Sequence, residues 1–134
     1  MELFLTKDGQ LLINEVAPRP HNSGHHTLDA AHTSQFEQHL RAILNLPLGN
    51  TDNIKASVMV NLLGDVAYTG DVLYEGLEEA INVPGANVLL YGKTQTRPNR
   101  KMGHATILAD DVDTARTNAQ KLKQLLTIKS KNQQ

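Results

Sequence analysis

The chain opens with two short apolar runs, Glu2-Leu-Phe-Leu5 and Leu11-Leu-Ile-Asn-Glu-Val16, on either side of Lys7-Asp-Gly-Gln10. An Asp-Gly pair between such runs predicts a β-hairpin. With a two-residue Asp8-Gly9 turn, Lys7 faces Gln10, Thr6 faces Leu11, Phe4 faces Ile13 and Glu2 faces Glu15. Residues 18–27 contain two prolines and a glycine without apolar periodicity, which reads as an irregular loop. Thr33 or Ser34 then caps a helix to about Asn45, with Phe36, Leu40, Ile43 and Leu44 on one face, and Pro47 and Gly49 end it. From Ile54 to Leu63 the alternation puts Ile54, Ala56, Val58, Val60 and Leu62 on one side of a half-buried strand. Asp71 is placed to cap a short helix to about Ile81, Val83-Pro-Gly-Ala86 to turn, and Asn87–Tyr91 to form a buried strand. A loop from Gly92 to Lys101 leads into a strand over Met102–Ala109. Asp110 or Asp111 starts a last helix, in which Val112, Ala115, Ala119, Leu122 and Leu126 recur at intervals of three and four. The polar tail after Ile128 reads as frayed.

The order ββ-loop-α-β-α-ββ-α gives a mixed α/β (α+β) layer structure. A hairpin that starts at residue 2 has few neighbours, and an isolated two-stranded hairpin is marginal in water, so it is expected to belong to a larger sheet. At 134 residues and 40% hydrophobic, the chain can bury a core without staples. Thirteen Lys and Arg against fourteen Asp and Glu leave a charge of −1, which recommends neither a polyanion nor a membrane surface as main partner. The absence of cysteine removes disulfides, thiolate nucleophiles and Cys-ligated zinc, and suits a reducing compartment, so the cytoplasm is expected. No apolar run approaches a bilayer span. Two Phe, three Tyr and no Trp argue against a base-stacking reader of nucleic acid.

Chemistry concentrates in three places. Glu2 and Glu15, directly opposed across the hairpin, would repel unless a cation lay between them, and oxygen ligation suits Mg²⁺ or Mn²⁺; the alternative is two carboxylates pointing into water. In the loop, Arg19 between two prolines can hold a small anion bidentately, His21 can trade a proton near neutral pH, and Asn22 offers both donor and acceptor. The spacing of His21, His25, His26 and His32 fits no zinc template, and structural or substrate-contacting roles are expected for them. Lys93, Arg97, Arg100 and Lys101 gather four positive charges into nine residues, a setting for a phosphate monoester or simply a solvated loop.

The stretch Asn14-Glu-Val-Ala-Pro-Arg-Pro-His-Asn-Ser-Gly24, with Glu2-Leu-Phe-Leu5 before it and Tyr91-Gly-Lys93 and Arg97-Pro-Asn-Arg-Lys-Met-Gly-His104 after it, closely resembles the 5-(carboxyamino)imidazole ribonucleotide synthases, ATP-grasp ligases of purine biosynthesis. The likeness runs over nearly the whole chain but only about the C-terminal third of such an enzyme. It implies the end of an ATP-grasp domain, with hairpin, substrate loop and helix over residues 1–50, then a small mixed-sheet C-terminal domain with packed helices over 51–128 and a disordered tail over 129–134. It implies that ATP, bicarbonate and 5-aminoimidazole ribonucleotide give N5-carboxyaminoimidazole ribonucleotide, ADP and phosphate. Carried onto this sequence, Glu2 and Glu15 become ligands of the Mg²⁺ (or Mn²⁺) on ATP, and Arg19, His21 and Asn22 the catalytic loop. Lys93 and Arg100, with Lys101, would bind the substrate phosphate.

Ala17 stands where many ATP-grasp ligases have Asn, so nucleotide and water would fill more of the metal shell. The superfamily's adenine-binding strands, glycine-rich loop and N-terminal substrate domain have no counterpart in these residues, so the chain alone is expected to be inactive without the N-terminal part of the same polypeptide. A homodimer is expected of the full-length enzyme. Two rivals remain open: a non-catalytic module that binds a phosphorylated small molecule, and another ATP-grasp carboxylase or formyltransferase.

Overall fold

The computed structural model describes residues 1–131. Strands β1 (Glu2–Leu5) and β2 (Leu11–Glu15) form the expected hairpin, but its turn is one residue longer than the sequence suggests. The Thr6 N–H donates to the Gln10 carbonyl at 2.9 Å and the Gly9 N–H to that of Thr6 at 3.0 Å. Lys7-Asp8-Gly9 is therefore a three-residue loop, with Gly9 at φ 85° in the left-handed position that such loops need. Leu5 pairs with Leu11, Phe4 with Leu12 and Leu3 with Ile13, one place from the expected register. A register shift between Glu2 and Leu3 then restores Glu2 opposite Glu15, with Asn14 as the extra residue of a bulge. The two carboxylates meet because two irregularities cancel.

The following loop is more ordered than its composition suggests. Asn22–Gly24 makes one 3₁₀ turn and α1 (Thr27–Ala30) one helical turn. Helix α2 (Gln35–Ile43) is capped by Ser34, whose hydroxyl accepts from the Glu37 N–H. Its apolar face exists as expected but lies uncovered, with Leu40, Ile43 and Leu44 exposed.

The remaining elements are β3 (Ala56–Leu63), β4 (Gly70–Glu75), α3 (Leu77–Ile81), β5 (Ala86–Leu90), β6 (Gln95–Thr96), β7 (Lys101–Ala109), α4 (Val112–Leu125) and β8 (Thr127–Ser130). They build two three-stranded sheets, β3-β7-β5 and β6-β4-β8. The mixed helix-and-sheet class stands, while the described strand pairs, expected to be mixed, are all antiparallel. β7 lies centrally, which accounts for its unbroken buried run Met102–Ile107. Asp111 caps α4 through its carboxylate on the Thr114 N–H at 2.8 Å, and Ala115, Ala119 and Leu122 lay the helix on the sheet.

Two expectations fail here. The segment after Asp71 is strand β4 rather than helix, because Val72 and Tyr74 alternate inward onto the core while Leu73 is exposed. The helix starts only after Gly76, which at φ 77° lies so close to the Leu125 carbonyl that a Cβ has no room. The tail is also not frayed from 129. β8 pairs with β4, Tyr74 facing Ile128 and Val72 facing Ser130, and both Ile128 and Ser130 are buried. Residues 132–134 of that tail lie outside the described residues. Among the described residues no helix is long and apolar enough to cross a membrane.

What matters for the site is how the loop is fastened to the sheet. The Ile54 N–H donates to the Ala30 carbonyl at 2.7 Å, Ala31 and Asn53 form a β-bridge, and Ala30 is fully buried.

Candidate active site

The hairpin end and the loop converge. One oxygen from Glu2, one from Glu15 and one ring nitrogen of His21 lie within 4.8 Å of one another. With Arg19 they line a cleft of about 450 Å³. Asn14, the bulged residue, donates from Nδ2 to Glu2 Oε1 at 2.7 Å and so holds that carboxylate in place. His21 Nε2 stands 3.4 Å from Glu15 Oε1.

His21 caps the 3₁₀ turn through its own ring. Nδ1 accepts from the Ser23 N–H at 3.3 Å and lies 3.0 Å from Ser23 Oγ. A ring whose Nδ1 accepts carries its proton on Nε2, so His21 presents an N–H to Glu15 rather than a lone pair to a metal. The donor set that suits a cation is thus the two carboxylates, hard oxygens that fit Mg²⁺ or Mn²⁺ when nucleotide and water oxygens complete the shell. Arg19 is exposed, with Nη1 on the Pro20 carbonyl at 3.0 Å, and borders both this cleft and a larger, more apolar one of about 570 Å³ behind it.

Asn22 reaches the sheet. Its Nδ2 donates to Asn61 Oδ1 at 2.7 Å and its Oδ1 accepts from Asn61 Nδ2 at 3.1 Å, a reciprocal amide pair that ties the turn to β3. Among the other loop histidines, His26 Nδ1 lies 3.1 Å from the Ser23 carbonyl and the His32 main-chain N–H donates to the Asp52 carbonyl; among the described residues, the histidine that joins the two carboxylates is His21.

The basic loop is a separate feature and shares no cleft with the hairpin among those described. Lys93 Nζ donates to the Lys101 carbonyl at 2.5 Å and sits 5.5 Å from the Tyr91 ring centroid, while Arg100 Nη1 donates to the Gln95 carbonyl at 2.8 Å. Both bonds shape the loop and leave each cationic head with further donors. Arg97 is exposed.

Between these regions lies a cluster that residue spacing did not reveal. The His25 ring stacks on Phe36 at 5.5 Å and stands 5.1 Å from His104 and 6.4 Å from Tyr91. Tyr91 Oη and His104 Nδ1 are 2.9 Å apart, and His104 Nε2 is buried with no partner among the described residues. Burial holds the His25 imidazole below the usual histidine range, and His104, Lys101 and His21 push it the same way. Burial likewise lowers His104, against a weaker pull from Asp29, and raises the Tyr91 hydroxyl. His25 thus feels both the His21 turn and the basic loop.

Residues 57–118 match the family model of the phosphoribosylaminoimidazole carboxylase C-terminal domain, and residues 1–36 match the ATP-grasp domain. The N5-carboxyaminoimidazole ribonucleotide synthase of Bacillus subtilis is 52% identical over 113 residues, which cover 84% of this chain and 28% of that protein. The phosphoribosylaminoimidazole carboxylase of Saccharomyces cerevisiae is 50% identical over 117 residues, covering 84% of this chain and 20% of that protein. The crystal structure of N5-carboxyaminoimidazole ribonucleotide synthetase from Thermotoga maritima superposes with a TM-score of 0.93 at 53% identity, over 96% of this chain and 36% of that one. A synthase from Aspergillus clavatus, solved with ADP and 5-aminoimidazole ribonucleotide, superposes at 0.79 with 36% identity, over 91% of this chain and 33% of that one. The chain therefore spans about a fifth to a third of the length of these relatives.

Proposed function

We propose that this chain, which joins the end of an ATP-grasp domain to a phosphoribosylaminoimidazole carboxylase C-terminal domain, serves as the C-terminal part of an ATP-dependent carboxylating ligase. The reaction is ATP, bicarbonate and 5-aminoimidazole ribonucleotide to N5-carboxyaminoimidazole ribonucleotide, ADP and phosphate. The observation that carries this is the convergence of Glu2, Glu15 and His21 within 4.8 Å on a cleft shared with Arg19.

Glu2 and Glu15 would hold Mg²⁺ (or Mn²⁺) against the ATP phosphates; the bound ion supplies charge neutralisation on the oxygens of the transferred phosphoryl group. Arg19 would hold the bicarbonate-derived anion through its planar guanidinium. His21, its Nε2–H fixed by the Ser23 contact, would donate a hydrogen bond to that species as the C–O bond of carboxyphosphate breaks, the substrate amine takes up the CO₂ released and its proton passes to the departing phosphate. Lys93, Arg100 and Lys101 would bind the ribonucleotide phosphate, and Asn22, paired with Asn61, would brace the turn. Fixed cations and donors, not a covalent intermediate on the protein, would lower the barrier. The adenine site would come from polypeptide upstream, against which the exposed hairpin faces would pack. The full-length enzyme would work as a homodimer in the cytoplasm.

The test is phosphate release from the chain extended upstream in its own reading frame, with ATP and Mg²⁺. Release that needs both bicarbonate and 5-aminoimidazole ribonucleotide, and that falls at least about a hundredfold in Glu15→Gln, is expected. A folded extended chain that releases none would instead favour a module that only binds a phosphorylated ligand.

A further inference from the structure

We propose that Gln35 is the positioning residue for His21: one side-chain amide grips both sides of the His21 main chain and so sets where the imidazole stands relative to Glu15. This rests on the substrate-facing role given to His21 above. Gln35 Oε1 accepts from the His21 N–H at 2.9 Å, and Nε2 donates to the His21 carbonyl at 2.7 Å. Nε2 also lies 2.8 Å from His25 Nδ1. One acceptor and two donors each meet a complement, so the amide has a single orientation; turned over, it would set donor against donor and acceptor against acceptor.

Its base is equally fixed. Gln35 is the first residue of α2, and its N–H donates to Thr27 Oγ1 at 2.9 Å. Gly24 gives the amide its space, since a Cβ at 24 would come within 2.5 Å of Gln35 Oε1. With the His21 main chain held by Gln35 and Nδ1 held by the Ser23 N–H, little freedom is left to the ring. Catalysis by an oriented group is sensitive to such freedom, because a displacement of about 1 Å can cost on the order of a hundredfold. The third contact, through His25 to Tyr91 and His104, joins the turn to the strand end from which the basic loop departs.

Gln38 supplies a matched control one helical turn on. Its amide clamps Gly49 in the same manner, Nε2 on the carbonyl at 2.8 Å and Oε1 on the N–H at 2.9 Å, without touching His21. In the upstream-extended chain, Gln35→Ala is expected to lower kcat at least tenfold with KM for ATP within twofold, and Gln35→Glu, which keeps the acceptor but loses the donor, to fall between. Gln38→Ala should lower the thermal midpoint comparably yet leave kcat within twofold. Unchanged kcat in Gln35→Ala, or equal losses in both alanine variants, overturns the proposal. In the 134-residue chain the His21 N–H should exchange with solvent at least tenfold faster in Gln35→Ala and at the native rate in Gln38→Ala; native exchange in Gln35→Ala also overturns it. If the extended chain releases no phosphate, the functional reading falls, and the exchange rates alone decide whether Gln35 positions His21.

Discussion

The hairpin that bears Glu2 and Glu15 and the sheet that bears His104 differ most in what surrounds them. Strand β2 is exposed along its whole length, and Leu3, Phe4, Leu5, Leu11, Leu12 and Ile13 all face solvent. Strand β7 is buried over six successive residues, with Met102, Ala105 and Ile107 at 0% exposure. Cohesion therefore comes from the sheet and α4, while the candidate metal ligands ride on a ribbon held by its own ladder and by the clamp around His21. The candidate site and the core are built from different residues, and substitutions should separate them.

The largest effect is expected in the sheet. Ile107→Ala removes three carbons from a fully buried site on the central strand and should cost about 3–4 kcal/mol, read as a fall in the urea midpoint with little change in slope. A cost under about 1 kcal/mol would mean that β7 is not the centre of the core. Next comes Gly76→Ala, at φ 77° and against the Leu125 carbonyl, which should cost roughly 2 kcal/mol by straining the junction of β4 and α3.

A smaller effect tests the cluster that joins the two regions. Burial lowers the proton affinity of His25 and His104 in the fold. As pH falls through about 6.5, the unfolded chain takes up protons that the fold resists, so stability present above that pH is lost below it. The thermal midpoint should fall between pH 7.5 and 5.5, as the unfolding free energy drops by at most about 1.4 kcal/mol per pH unit for each ring. His104→Gln should flatten that profile; an unaltered slope would place the pH dependence elsewhere.

Legibility followed the same divide. Periodicity marks β3 and α4, which each bury one face, while β7 is legible as a continuous run because it is central and covered on both sides; Ser34 and Asp111 are readable as caps. β4 is hidden because Asp71 reads as a helix cap ahead of the Leu77–Ile81 helix, and β8 because it is short and polar and pairs with β4 across more than fifty residues of chain, a contact no local pattern encodes. The Glu2–Glu15 pairing was legible although the turn was not, since a longer loop and a bulge offset one another. The Gln35 clamp and the His25–His104 contact were not legible: Gln35 reads as an ordinary first-turn polar residue, and the two rings are brought together only by the docking of the loop on the sheet.

The smallest effect belongs to the hairpin and sharpens the contrast most. Leu5 and Ile13 are each 72% exposed, so Leu5→Ala or Ile13→Ala should change the stability of this chain by no more than about 0.5 kcal/mol. If upstream polypeptide covers these faces, as the proposed function requires, at least one of the two substitutions should cost about 2 kcal/mol in the extended chain, the magnitude of burying such a side chain. Leu5 and Ile13 lie on one face of the hairpin, and a null effect of both in both settings would leave that face exposed even in the longer protein. Glu2 and Glu15 would then stand in solvent that screens their charges, and a metal held between them would be too weakly fixed to orient ATP.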